Sequence, residues 1–231
     1  MANIKDLIGP LQEPTIPELR CVLVSTLHGS TTVNGTSGDL GNNTDTALLL
    51  GLRQWSDVVL VGSGTIKAEN YGGVQIPLEI QQQRLTNGQC AIPPIAVISS
   101  SLKFDMESRF FKEAQTRPLI FTDNKDAELK AVLKNASAEI IEMEVLSVRG
   151  VVDKLRNAGY ARITCEGGAT LYAQVLDAGI VDVWHQTVDP TISGTVEHPM
   201  VQGGNAAPQR FRFDHFYADA DSTVFLRYVR S

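Results

Sequence analysis

Two segments of this sequence share one chemical plan. "VVLVGSGTIKAE" (residues 58–69) and "ARITCEGGATLYAQ" (residues 161–174) each set a strand-type apolar run before a glycine pair and a helix-compatible stretch after it. At the carboxyl end of a parallel strand, glycines let the backbone approach a ligand with no Cβ in between. The helix that follows offers free N–H groups and the positive end of its dipole. Such a turn suits an anion, and two of them on neighbouring strands would suit the pyrophosphate of a dinucleotide. The alternative is that each turn merely reverses the chain. Neither completes a phosphate fingerprint: G-x-G-x-x-G would need glycine where Lys67 stands, and no G-K-[S/T] occurs for a P-loop.

Other reactive residue types are scattered. His185, His198 and His215 lack metal-ligand spacing, and Cys21, Cys90 and Cys165 are too far apart for a zinc knuckle or a disulfide framework, so no metal is expected. Cys165 ends an apolar run and reads as a small buried hydrophobe. No G-x-S-x-G elbow is present. Arg53, Arg109 and Arg117 are within reach of anions, but read first as exposed salt-bridge partners.

The elements that must position the two turns follow from patterning. Pro10, Pro14 and Pro17 predict an extended arm over residues 1–18, leaving 19–231 as one domain. "RCVLVSTLHG" reads as a buried strand running into a turn, and "STTVNGTSGDLGNN" as a long loop. "NTDTALLLGLRQW" opens with capping residues and places Leu48, Leu49, Leu52 and Trp55 on one helical face. "PPIAVISSSLKF" and "RPLIFTDN" are further strands, while "DAELKAVLKNA" and "LSVRGVVDKLRNAGY" are amphipathic helices. "RFRFDHFYADADSTVFLRYVR" alternates about a polar turn and predicts an antiparallel hairpin. Alternating strands and helices imply a mostly parallel sheet with helices on both faces.

Composition narrows the function classes. A net charge of -6 over 231 residues excludes a general nucleic-acid surface, which needs a basic stripe. No apolar run reaches the roughly 18 residues of a membrane span, and the start of the chain does not follow the signal-peptide pattern. The cysteine usage suits a reduced compartment, so the cytoplasm is the expected location.

"VSTLHGSTTVNGTSGDLGNNTD", "SDVVLVGSGTIKAENYG" and "CEGGATLYAQVLDAGIVDV", taken in order, resemble the reductase domain of bacterial riboflavin biosynthesis. The closest pattern is its stand-alone, actinobacterial, pyrimidine reductase-like branch. The resemblance runs from about Arg20 to the C-terminus. It implies a dihydrofolate reductase-like three-layer fold, a homodimer, and NADPH as cofactor. It also implies hydride transfer to the ribosyl C1′ of a pyrimidine ribosyl-phosphate substrate.

Carried over by position, the resemblance implies cofactor contacts from Gly62, Ser63, Gly64 and Thr65, and from Glu166, Gly167, Gly168, Thr170 and Leu171. It makes Ser99 and Ser100 candidates for the adenosine 2′-phosphate. Ser25, Gly29 and Asn70 stand as substrate contacts. His28 occupies the place of the family's aspartate and, as the residue that titrates near neutrality, is the expected proton source. It also reads as a polar loop residue. Glu69 is a second catalytic candidate, or else a solvent-facing helix residue. The zinc deaminase that precedes the reductase in many relatives needs His-x-Glu and Pro-Cys-x-x-Cys; neither occurs, so no deaminase activity is expected. Two other readings remain: a reductase of the same fold acting on a pterin or folate, and an NADPH-binding protein that has lost catalysis.

Overall fold

The computed structural model describes residues 3–204 and 208–231. Its elements begin with α1 (Ile4–Ile8), β1 (Glu18–Thr26), α2 (Asn43–Trp55), β2 (Val58–Gly62), α3 (Ser63–Ala68) and α4 (Leu78–Thr86). There follow β3 (Ile95–Ile98), α5 (Arg109–Lys112), β4 (Leu119–Thr122), α6 (Ala127–Asn135), β5 (Glu139–Glu142) and α7 (Val148–Asn157). The chain ends with β6 (Arg162–Cys165), α8 (Ala169–Asp177), β7 (Val183–Asp189), β8 (Phe211–Ala218) and β9 (Val224–Arg230).

Among the described residues, nine strands form one sheet in the order β5-β4-β3-β2-β6-β1-β7-β9-β8. Pairing is parallel from β5 to β7 and antiparallel through β9 and β8. This is the expected mixed sheet with a C-terminal hairpin. β1 sits between β6 and β7 and is covered on both faces, which is why residues 21–24 are all apolar and even Glu18, Arg20, Ser25 and Thr26 are buried.

Alternate residues divide the core. Cys21, Leu60 and Cys165 face α7 and α8, packing with Val151, Val152, Leu155, Leu171, Tyr172 and Val175. Val22 packs on the opposite face with Leu7, Leu48 and Leu52 from α1 and α2, while Val59, Val61 and Val97 pack with Ile66 of α3. Helices on both faces make three layers. Each fully buried leucine stabilises this arrangement by about 1.5–3 kcal/mol. Among the described residues, no helix is long and apolar enough to cross a membrane.

The N-terminal arm departs from the extended conformation expected. Residues 4–8 form α1, with the Asn3 side chain accepting from Lys5 N. The prolines begin only at Pro10, so nothing in the preceding turn forbids a helix, and burial of Leu7 repays its formation. Arg20 donates to Ile8 O at 2.6 Å, and Arg227 donates to Leu7 O at 2.7 Å. The edge strand β5, its Glu139 and Glu142 exposed, was not foreseen because it lacks a clear apolar alternation.

His185 on β7 is 1% exposed, opposite Val22 on β1 and Arg227 on β9. Burial holds its imidazole well below the ordinary range, and the positive charges of Arg20 and Arg227 push the same way. The unfolded chain therefore takes up a proton at a pH where the native protein does not. The resulting stability is present above the unfolded value near 6.5 and is lost as pH falls below it. Between about pH 7.5 and 5.5 the wild type should lose on the order of 1 kcal/mol more than His185→Leu in urea denaturation. Equal losses would assign the acid sensitivity to other groups.

Candidate active site

Parallel pairing brings the two glycine turns together. Leu60 on β2 lies beside Cys165 on β6, so both strands end at the same level. Glu166 N donates to Leu60 O at 3.0 Å, and Gly62 N donates to Gly167 O at 2.7 Å. From this junction α3 and α8 depart, and neither has a side-chain cap at its start. The leading N–H groups of both helices are thus left without the usual side-chain acceptor.

The glycines here do different jobs. Gly167 has φ +77°, and a Cβ on it would meet the Tyr172 ring at 2.5 Å. On Gly168 a Cβ would meet Thr65 Oγ1 at 2.8 Å. Gly168 lets the two turns touch each other, while Gly167 makes room for the Tyr172 ring of α8. Gly64 is different: it has no positive φ, and a Cβ on it would find no heavy atom within 4 Å. Nothing inside the protein requires glycine there. The Gly167–Gly168 peptide bond is cis.

Above the junction lies a cleft of about 1310 Å³. Of the residues singled out from sequence, Gly62, Ser63, Gly64, Thr65, Glu69, Asn70, Ser100, Glu166, Gly168, Thr170 and Leu171 line it. Glu69 is not solvent-facing: it accepts from Ser37 Oγ at 2.8 Å and from Thr36 Oγ1 at 3.2 Å, tying the loop after β1 to the cleft.

Ser25, His28, Gly29, Ser99 and Gly167 do not line the cleft. Ser25 is buried in β1, where its Oγ accepts from Gln186 Nε2 at 3.1 Å. Gly29, at φ +90°, closes the tight turn after β1, with its N–H donating to Thr26 O at 3.0 Å. His28 turns towards the segment after β7: its Nε2 lies 3.0 Å from Thr195 O and 3.0 Å from Ser193 Oγ. A carbonyl can only accept, so Nε2 carries the hydrogen, and the ring pins one loop to another. Ser99 is 2% exposed, and its Oγ accepts from Leu102 N at 3.1 Å, so that hydroxyl closes a turn. Gly167 is buried beneath Tyr172.

Arg53, expected to be an exposed ion-pair residue, is the main electrostatic feature missed. Its side chain is 15% exposed and grips Glu166, 5% exposed, through Nε–Oε1 at 2.7 Å and Nη2–Oε2 at 2.6 Å. Nη2 also donates to Tyr71 Oη at 2.9 Å. Burial works against the Arg53 charge, yet the charge of Glu166 and its hydrogen bonds outweigh it and hold the guanidinium above its ordinary range. Arg109 behaves as expected, pairing with Glu113 at the exposed rim. Asp45 lies two helical turns before Arg53 on α2 and also lines the cleft, with Thr187 Oγ1 donating to its Oδ1 at 2.5 Å. The signal for both was the i, i+4, i+8 spacing of Asp45, Leu49 and Arg53 beside the buried leucine face. Among the described residues, no three His, Cys, Asp or Glu side chains are placed to hold a metal ion.

The profile of the RibD C-terminal domain matches residues 17–225. The 2,5-diamino-6-ribosylamino-4(3H)-pyrimidinone 5′-phosphate reductase of Archaeoglobus fulgidus is 24% identical over 164 residues, spanning 71% of this chain and 75% of that protein. A pyrimidine reductase-like protein from Corynebacterium diphtheriae superposes with a TM-score of 0.87 at 31% identity, covering 98% of this chain and 97% of its own. The riboflavin biosynthesis reductase of Saccharomyces cerevisiae shares the fold, with a TM-score of 0.66 at 17% identity, over 96% of this chain and 94% of its own.

Proposed function

The chain belongs to the RibD C-terminal domain family, and from that premise we propose that it is an NADPH-dependent reductase of a ribosylaminopyrimidine phosphate. Residues 19–231 would act as one reductase domain. The observation that carries this reading is the vacant space over Gly64, where a Cβ would meet nothing, between two helix starts without side-chain caps. A backbone surface left bare towards a cleft is what a pyrophosphate needs. When bound, the reduced nicotinamide supplies a hydride.

The residues of this chain bind and orient. The 62–65 turn and the start of α8 receive the phosphates through backbone N–H groups, with the Thr65 and Thr170 hydroxyls available beside them. Ser100 lies at the end of β3, where the adenosine would extend, and Asp123 lines the same end. The Arg53–Glu166 pair holds the second turn against α2. Glu69 keeps the Thr36–Ser37 loop against the substrate half, and Asn70 completes that rim. His28 lies outside the cleft lining, so its place in the family's aspartate position argues little for lost catalysis. Three free cysteines suit a reducing cytoplasm.

The test is a fluorescence titration with NADPH and with NADH, followed by addition of the ribosylaminouracil phosphate. Saturable, NADPH-selective binding and NADPH oxidation on adding the pyrimidine are expected. NADH-selective binding would assign Asp123 to a ribose hydroxyl and overturn the 2′-phosphate assignment. No binding to either would reduce both turns to chain reversals. Pairing into a homodimer, which the family suggests, has a candidate surface on edge strand β8, where Phe213 and Phe216 are 49% and 61% exposed. Sedimentation at the mass of a single chain would remove it.

A further inference from the structure

Two aspartates meet at the start of α2 in unlike surroundings. Asp189, at the end of β7, is 7% exposed and has a backbone N–H on each oxygen: Gly41 N at 2.9 Å on Oδ2 and Thr191 N at 3.0 Å on Oδ1. Asp45 faces it from α2 and lines the cleft beside Thr46 and Leu49. Its Oδ1 is taken by the Thr187 hydroxyl, while its Oδ2 has no hydrogen-bond partner among the described residues. Thr187 and Asp189 are two apart on β7 and so share a face, which aims both at the first turn of α2.

We propose that Asp45 is the proton donor of the reduction, its Oδ2 proton passing to the furanose ring oxygen of the substrate as the ring opens. This rests on the reductase reading above. The balance is complete. The hydride from the reduced nicotinamide dinucleotide forms the new C–H bond at C1′. The C1′–O4′ bond breaks with its electron pair on O4′, and Asp45 supplies the proton that makes this a hydroxyl. The dinucleotide leaves oxidised, and Asp45 is left as a carboxylate that solvent reprotonates.

Its surroundings raise its affinity for a proton. Burial raises the Asp45 carboxyl above its ordinary range; the Thr187 hydrogen bond opposes this, and the negative charge of Asp189 reinforces it. Other charges along the cleft are engaged elsewhere: Arg53 with Glu166, and Glu69 with Thr36 and Ser37. His198 lies 3.0 Å from Thr32 through Nδ1. A carboxyl whose proton affinity is raised by burial and by a neighbouring aspartate is suited to act as a general acid.

The test compares wild type with Asp45→Asn. The variant should bind NADPH within about twofold of wild type, while kcat/KM for the ribosylaminouracil phosphate falls about 10²- to 10⁴-fold. The wild-type rate should decline as pH rises through the Asp45 titration, and the variant should lose that limb. Because the native acid holds its proton above the unfolded value, Asp45 costs stability as pH rises, so Asp45→Asn should also raise the unfolding midpoint at neutral pH. A residue kept only for structure would do the opposite. A ¹³C titration of the wild-type carboxyls checks the same acid without a variant: a raised Asp45 midpoint that drops in Asp189→Asn supports the donor. An ordinary midpoint overturns it. Unchanged turnover in Asp45→Asn overturns the donor alone, whereas NADPH binding without wild-type turnover overturns the reductase reading and the donor together.

Discussion

Gly64→Val is expected to weaken cofactor binding about 100-fold or more while leaving the protein folded. Among the described residues, a Cβ at this position meets no atom within 4 Å beyond its chain neighbours and the α3 backbone, and there is no positive φ, so the substitution introduces no clash with the rest of the fold. Within α3, glycine costs about 0.5–1 kcal/mol relative to alanine. Gly64→Ala should therefore melt slightly higher than wild type and still bind NADPH about tenfold more weakly, about 1.4 kcal/mol. Valine, which projects branches into the same space, should weaken binding by about 100-fold or more, about 2.7 kcal/mol. Stability and binding then move in opposite directions. Gly167→Ala supplies the contrast. There the left-handed φ of +77° and the Tyr172 ring at 2.5 Å make the penalty one of folding, about 2–4 kcal/mol. Thermal melts and fluorescence titrations on the three variants separate room kept for a ligand from room kept for the fold. Wild-type affinity in Gly64→Val would mean that the bare backbone faces no phosphate.

Arg53→Met should be the most destabilising single change in the cleft. It leaves Glu166, 5% exposed, with no cation in reach of the geometry it now has, and removes the donor from Tyr71 Oη. Breaking a buried pair from one side costs about 3–5 kcal/mol, because the remaining charge stays desolvated. Removing Glu166 as well, in Arg53→Met with Glu166→Leu, should recover most of that loss, since two apolar side chains no longer desolvate a charge. Turnover should not recover with it. The pair positions the turn whose neighbours Gly167 and Gly168 touch Gly62 and Thr65, and an apolar replacement restores volume without direction. Urea denaturation of the two variants and rates of NADPH oxidation provide the check. A double variant restored in both respects would make the pair structural only.

Several features could be read before any coordinates. The two glycine turns, the apolar face of α2, the amphipathic α7 and the C-terminal hairpin are local patterns. Each depends on residues a few positions apart, and backbone geometry turns that spacing directly into a face or a turn. The resemblance added eleven of the cleft-lining residues, most of them in the two turns. The misreadings have local causes too. Three prolines suggested an extended arm, although they begin only after α1. A polar Ser-Ser-Ser turn suggested hydroxyls facing a ligand, although the Ser99 hydroxyl turns inward to Leu102 N. His28 drew attention by its chemistry, although the turn after β1 points it at the loop of residues 193–195.

The elements with clear periodicity and the two turns were legible along the chain alone, because those follow from short-range sterics and burial along one segment. Only the tertiary structure decided which groups are charged, paired or free. Arg53 and Glu166 are 113 residues apart, and Asp45 and Thr187 are 142 apart. Their meeting depends on the register of β2 against β6 and of β7 against β1. A side chain's proton affinity is set by the solvent it loses and the charges it meets, and both exist only once distant strands have been laid side by side.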